Sequence, residues 1–254
     1  MSGVLYVVGL GPGPDFWLTP EASNALAQVE AIVGYRPYVD RVPEREGVAR
    51  YMSDNRVELD RARHALALAC EGRAVAVVSG GDPGVFAMAA AIFEAVEAGE
   101  PRWRSLDIRV LPGVSAMQAA AARLGAPLGH DFCAISLSDN LKPWSVVEKR
   151  LAAAAEADFV IALYNPASKA RPERIHQAFT CLRDRKSGST PVIFARAVGR
   201  PDERIAITRL AIADPGFADM ATLVLIGSSE TRLVERGGGK QPFVYTPRSY
   251  GARR

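Results

Sequence analysis

Three times in its first half the chain runs from a short apolar stretch into a glycine–proline loop. Residues 4–10 lead into Gly11-Pro12-Gly13-Pro14, residues 74–79 into Gly80-Gly81-Asp82-Pro83-Gly84, and residues 108–111 into Pro112-Gly113-Val114-Ser115-Ala116. An apolar run, a loop of this kind and then a helical pattern is how open parallel sheets build ligand clefts at their strand ends. Glycine lets a ligand come close to the main chain, and proline stiffens the turn that holds it. The pattern points to a small-molecule site.

The alternation continues between the loops. It predicts strands over 4–10, 29–35, 74–79 and 106–111, and helices over 56–70, 83–98 and 114–124. Thr19 is the expected N-cap of a helix with Pro20 at its first position, and Asp82 the expected cap of the helix that Pro83 opens. Residues 125–129, Gly-Ala-Pro-Leu-Gly, have linker composition. After them the pattern restarts, with strands over 131–137, 158–164, 191–197, 204–208 and 222–226 and helices over 144–155 and 171–185. No helix separates 191–197 from 204–208, so a hairpin and a mixed second sheet are expected. The reading is α/β: two α/β domains with a cofactor cleft between them, the first sheet mostly parallel and the second mixed. Domain bounds are expected at 1–120 and 121–236, followed by a loose or partner-engaged tail, 237–254.

The 254 residues carry a formal charge of +3, too little to argue for nucleic acid, and no block of five like charges occurs. Cys70, Cys133 and Cys181 form no CxxC pair, and His64, His130 and His176 lack ligand spacing. No metal site and no disulfide frame is expected. No signal-peptide pattern and no membrane-length apolar run is read, so a cytoplasmic protein is expected.

Gly9-Leu10-Gly11-Pro12-Gly13-Pro14 is not a dinucleotide fingerprint. Its third glycine position is Pro14, and Tyr35 and Arg36 stand where an acidic ribose ligand belongs. No Walker A lysine follows either. A nucleotide-dependent dehydrogenase is therefore disfavoured, and a non-catalytic binding protein is a further alternative class.

The three loops, in this order and spacing, resemble those of the tetrapyrrole methylases, S-adenosylmethionine-dependent methyltransferases of cobalamin and sirohaem synthesis. The resemblance spans residues 3–230. Gly125–Leu128, His130-Asp131-Phe132, Ile135-Ser136-Leu137-Ser138-Asp139 and Tyr164-Asn165-Pro166-Ala167-Ser168 resemble the ring-contracting branch of that family. One departure is that Pro14 separates Gly13 from Asp15, where many members have Gly-Pro-Gly-Asp.

The resemblance implies methylation of carbon 17 of precorrin-3B, with contraction of the macrocycle to precorrin-4; another ring carbon is the alternative. It implies S-adenosylmethionine as cofactor, held by Pro12, Gly80, Gly81, Asp82, Val85, Ser115, Ala116, Tyr164 and Ala197, and a homodimer. Tyr35, Ser138, Asp139 and Asn165 follow strand ends and are the candidate catalytic groups for the proton transfers of contraction; Asp139 and Asn140 are alternatively helix caps. Arg36, Lys142, Lys169, Arg171 and Arg196 are candidates to pair with the acetate and propionate arms of the substrate. His130 and Asp131 lie at the far end of their strand and read as structural.

Overall fold

The computed structural model describes residues 3–54, 57–168 and 170–251. The chain divides into two compact units, Met1–Ser115 and Ala116–Arg254. That break falls just ahead of the expected boundary between 120 and 121, so the alanine-rich helix opens the second unit.

In the first unit, strands β1 (Val4–Gly9), β2 (Ala31–Tyr35), β3 (Ala49–Ser53), β4 (Ala74–Ser79) and β5 (Asp107–Leu111) form one sheet in the order β3-β2-β4-β1-β5. Every pairing is parallel. Side chains alternate across the sheet, and both faces are covered, which is why the central strands read as unbroken apolar runs. Leu5, Val7, Val33 and Val77 pack on helices α3 (Glu58–Cys70) and α4 (Met88–Ala98). Val8, Ile32 and Val78 pack on the other side, with Ala22 and Ala25 of α1 (Pro20–Gln28) and Val39 of the short α2 (Arg36–Val39). The neighbours β1 and β4 thus send their following helices to opposite faces, the arrangement that opens a crevice at the carboxyl ends of parallel strands.

Thr19 caps α1 as expected, its Oγ1 accepting from Ala22 N at 3.2 Å. The helix expected from residue 83 starts only at Met88. Pro83–Ala87 is a turn with Phe86 at φ +54°, so Asp82 caps no helix.

The second unit begins with α5 (Ala116–Leu124). Its main sheet has the order β10-β9-β11-β8-β7, built from β7 (Phe132–Ser136), β8 (Val160–Tyr164), β9 (Pro191–Arg196), β10 (Arg204–Arg209) and β11 (Thr222–Ile226). β7 and β8 are parallel, β11 runs against both β8 and β9, and β9–β10 is the expected antiparallel pair. The mixed sheet is as the sequence suggested. β7, β8 and β9 consequently share one carboxyl edge. Helices α6 (Trp144–Glu156) and α7 (Arg174–Arg183) cover a core that includes Leu151, Leu163, Phe179 and Phe194.

Two expectations about this unit are corrected. Gly125–Ala126 is not a free linker but strand β6, paired parallel with β13 (Phe243–Tyr245), which also pairs with β12 (Arg232–Val234). The tail is accordingly held through its middle: Val244 is fully buried, and the Thr246 hydroxyl donates to Pro127 O at 2.6 Å. At the start of β8, the Asp158 carboxylate takes Lys186 Nζ at 2.9 Å and the Ser229 N–H and hydroxyl.

Candidate active site

The carboxyl edge of the first sheet is built almost entirely from main chain. Gly11 and Gly81 exchange N–H···O bonds of 3.1 and 3.0 Å, which joins the first loop to the second. Gly81 sits at φ +71°, a conformation that favours glycine. Asp82 joins the second loop to the third: Oδ1 accepts from Gly84 N at 2.8 Å and Oδ2 from Gly113 N at 3.1 Å. A Cβ on Gly113 would lie 2.4 Å from Gly81 O, so the third loop fits only without a side chain. Arg41, not singled out by sequence, completes the frame. Its guanidinium donates to Leu10 O, Gly11 O and Gly13 O at 2.8–2.9 Å.

The main-chain N–H and C=O of Gly81 are used in holding the loops to one another. Pro12, Gly80 and Val85 are half-buried there and Ser115 is buried. Asp15 is exposed, in a 3-10 turn. Tyr35 closes β2 with its ring edge-on to Tyr38, 5.5 Å between centroids. Across the three loop stretches, 10–14, 80–84 and 112–116, Asp82 is the one charged side chain.

The matching edge of the second sheet is rich in side chains. Register places Ser136 beside Tyr164. Ser136 Oγ accepts from Asn165 Nδ2 at 3.0 Å and from Ser138 N at 3.3 Å, so this buried serine, not among the candidates, links two of them. The Tyr164 hydroxyl oxygen accepts from Met117 N, beside Ala116, at 3.1 Å in the first turn of α5. Asn165 and Ala197, each just past a strand end, hold φ of +51° and +50°. Such backbone costs non-glycine residues about 1–2 kcal/mol and concentrates at functional loops.

Asp139 is not a helix cap: Pro143 occupies that position of α6 without a side-chain bond. Its carboxylate takes Arg174 Nε at 2.7 Å and faces Arg171 Nε at 3.6 Å. Lys142 Nζ donates to Ser138 O at 3.0 Å. Burial pushes the Lys142 pKa down, and repulsion from Arg150 adds to the shift. Arg171 and Lys142 are therefore brought together, and Arg174 joins them.

The other basic candidates separate. Arg196 is engaged by Asp202 at 2.7 Å and Asp219 at 2.9 Å. Arg36 is exposed, on Met52 Sδ, and Lys169 lies outside the described residues. His130 Nδ1 accepts from Asp131 N at 2.7 Å, and its ring lies 6.1 Å from that of Tyr250. Among the described residues, no three His, Cys, Asp or Glu side chains cluster as a metal site, and no helix is long and apolar enough to cross a membrane.

This pair of α/β units, with Gly-Pro loops on one strand-end edge and Tyr-Asn and basic residues on another, belongs to a known class. The family model described as Tetrapyrrole (Corrin/Porphyrin) Methylases matches residues 4–214, and the chain belongs to that family. It is 60% identical, over 98% of both chains, to a precorrin-3B C(17)-methyltransferase of a Sinorhizobium species. It is 41% identical to a probable cobalt-factor III C(17)-methyltransferase of Salmonella typhimurium, over 97% of this chain and 99% of that one. The crystal structure of the methyltransferase CobJ superposes with a TM-score of 0.92 at 54% identity, covering 97% of this chain and 100% of that one.

Proposed function

We propose that this protein methylates carbon 17 of precorrin-3B at the expense of S-adenosylmethionine and contracts the ring to precorrin-4. The observation that carries the reading is 60% identity along essentially the whole of both chains to a precorrin-3B C(17)-methyltransferase. The lower identity to the cobalt-factor III enzyme favours the metal-free substrate.

The first edge fits the cofactor. Its loop residues include one carboxylate, Asp82, and no basic side chain; the Arg41 guanidinium behind the first loop is spent on three loop carbonyls, which leaves the edge better suited to a sulfonium cation than to a phosphate. When bound, S-adenosylmethionine supplies an electrophilic methyl group. The residues proposed to hold it are Pro12, Gly80, Gly81, Asp82, Val85, Ser115, Ala116, Tyr164 and Ala197. Their work is alignment and exclusion of water, and alignment alone is worth roughly 7–11 kcal/mol of barrier.

Contraction also needs protons moved at a hydroxyl and a lactone carbonyl of the macrocycle. Tyr35 and Ser138 are proposed for this, with Asn165 proposed to hold the reacting oxygen by hydrogen bonding, its amide fixed on Ser136 Oγ. A homodimer rests on the resemblance, and sedimentation showing only monomer at micromolar concentration would overturn it.

The reaction is tested by incubating the protein with precorrin-3B and methyl-labelled S-adenosylmethionine, then analysing the product by mass spectrometry and NMR. Label at carbon 17 of a contracted ring supports the reading. Label at another carbon transfers the protein to a different branch of the family.

A further inference from the structure

The basic group at the edge of the second sheet contains two polar atoms that the fold leaves unsatisfied. Ser168 Oγ and Arg171 Nε are both buried without a hydrogen-bond partner among the described residues. They belong to one tight turn, closed by Arg171 N donating to Ser168 O at 3.0 Å. Orphaned buried donors are rare enough that each calls for an explanation, an absent ligand being one.

Their surroundings identify the ligand's charge. Lys142, Arg171 and Arg174 meet here against Asp139 and the exposed Glu173, and the Arg171 side chain is only 11% exposed. Arg174 is spent on Asp139, with two nitrogens within 2.7 Å of Oδ2, and lies over the Trp144 ring at 5.0 Å. Arg171 is fastened only weakly, by a 3.4 Å bond to Leu137 O and the 3.6 Å approach to Asp139. A guanidinium so deeply placed, with Nε making no hydrogen bond and only a long ion pair to Asp139, is poised for a planar anion that can take its fork.

Resting on the reading above, we propose that Ser168 and Arg171 form a subsite for one carboxylate arm of the tetrapyrrole, and that Asp139 and Arg174 position Arg171. Asp139 then acts through Arg171, not as an acid or base on the macrocycle. S-adenosylmethionine also carries a carboxylate, and the test separates the two sources.

The test is calorimetric titration of the full chain with uroporphyrin, an octacarboxylate, and separately with S-adenosylhomocysteine. Arg171→Gln is expected to weaken uroporphyrin about 10- to 100-fold, as loss of a charge-assisted pair does, and to leave S-adenosylhomocysteine unchanged. Arg171→Lys keeps the charge beside Asp139, so the loop holds, but loses the fork; an intermediate loss is expected. Ser168→Ala is expected to weaken uroporphyrin a few-fold. With precorrin-3B, Asp139→Asn is expected to raise KM while leaving kcat and its pH profile in place.

Uroporphyrin affinity equal to wild type in both Arg171 variants overturns the subsite. Loss of S-adenosylhomocysteine affinity instead assigns it to the cofactor and overturns the proposal equally. A fall in kcat with a shifted pH profile in Asp139→Asn overturns its positioning role. If the wild type binds uroporphyrin through Arg171 yet transfers no methyl to precorrin-3B, the reaction assigned above fails and the subsite stands.

Discussion

The two strand-end edges are made from opposite materials. In the first unit, glycines remove side chains so that three loops close on one another through main-chain bonds, with Asp82 and Arg41 as the side-chain ties. In the second unit the same position in the sheet carries Ser136, Ser138, Asp139, Asn165, Arg171 and Arg174, with side-chain links from Ser136 to Asn165 and from Asp139 to Arg171 and Arg174. A site of backbone and small residues holds a ligand by shape and tolerates few substitutions. A site of long charged side chains reads a substrate's charge, and single residues can be removed from it.

The largest expected effects are on stability, and they test how far the contrast extends. Asp158→Asn, at the opposite edge of the second sheet, leaves the buried Lys186 ammonium without its partner. A loss of roughly 2–4 kcal/mol is expected in chemical denaturation, somewhat under the fully buried case because Asp158 is partly exposed, with both ligand affinities of the folded protein unchanged. Burial pushes the Asp158 carboxyl up, but bonds from Ser229 and Lys186 outweigh it and hold its pKa below the usual value. The stability it contributes is therefore present above the unfolded carboxylate pKa, near 3.9, and is lost as pH falls through the lower folded value. An acid titration of wild type against Asp158→Asn should show their stabilities converge below about pH 4; parallel curves would contradict this.

Gly81→Val comes next. It forces a β-branched residue into the left-handed region and strains the bridge to Gly11, at a cost of about 2–3 kcal/mol. Unchanged stability would mean the first edge is less rigid than its bonds imply. Asp82→Ala is gentler, since it introduces no backbone strain and removes the tie to Gly113 of the third loop together with the local bond from Gly84 N. S-adenosylhomocysteine should weaken about tenfold, matching loss of one charge-assisted bond, with Asp82→Asn partly restoring it.

The smallest effect is a gain. Ala197→Gly relieves a positive φ and should stabilise by about 1 kcal/mol in thermal unfolding, with turnover reporting whether that backbone matters to the reaction. A loss of stability would show that the Ala197 methyl, 5% exposed, outweighs the strain.

Much of this was legible in the sequence where the signal is local. Strand β4 lies at the expected residues, Thr19 caps its helix, and the three loops sit at the expected edge. Failures came where distant residues decide. Asp82 before Pro83 looks like a cap, but its carboxylate turns to Gly113, 31 residues on. Gly125–Ala126 looks like a linker because a two-residue strand has no periodicity of its own and is defined by β13, more than a hundred residues away.

The candidate site followed the same rule. Tyr164, Asn165 and Asp139 stand next to strand ends and could be read as such. Arg41, Ser136, Ser168 and Arg174 could not, because an arginine or serine acquires its meaning from which carbonyl, carboxylate or unfilled space it faces. Arg196 shows the converse: it closes strand β9 at the expected edge, yet two aspartates take it up.

The contrast between the edges is tested most directly by titrating two variants with two ligands. S-adenosylhomocysteine and uroporphyrin are each measured against Asp82→Ala and Arg171→Gln. The predicted result is crossed: Asp82→Ala weakens S-adenosylhomocysteine and leaves uroporphyrin near wild type, and Arg171→Gln does the reverse. If either variant weakens both ligands to the same degree, or each weakens the other's ligand, the assignment of cofactor to the main-chain edge and macrocycle to the charged edge is wrong.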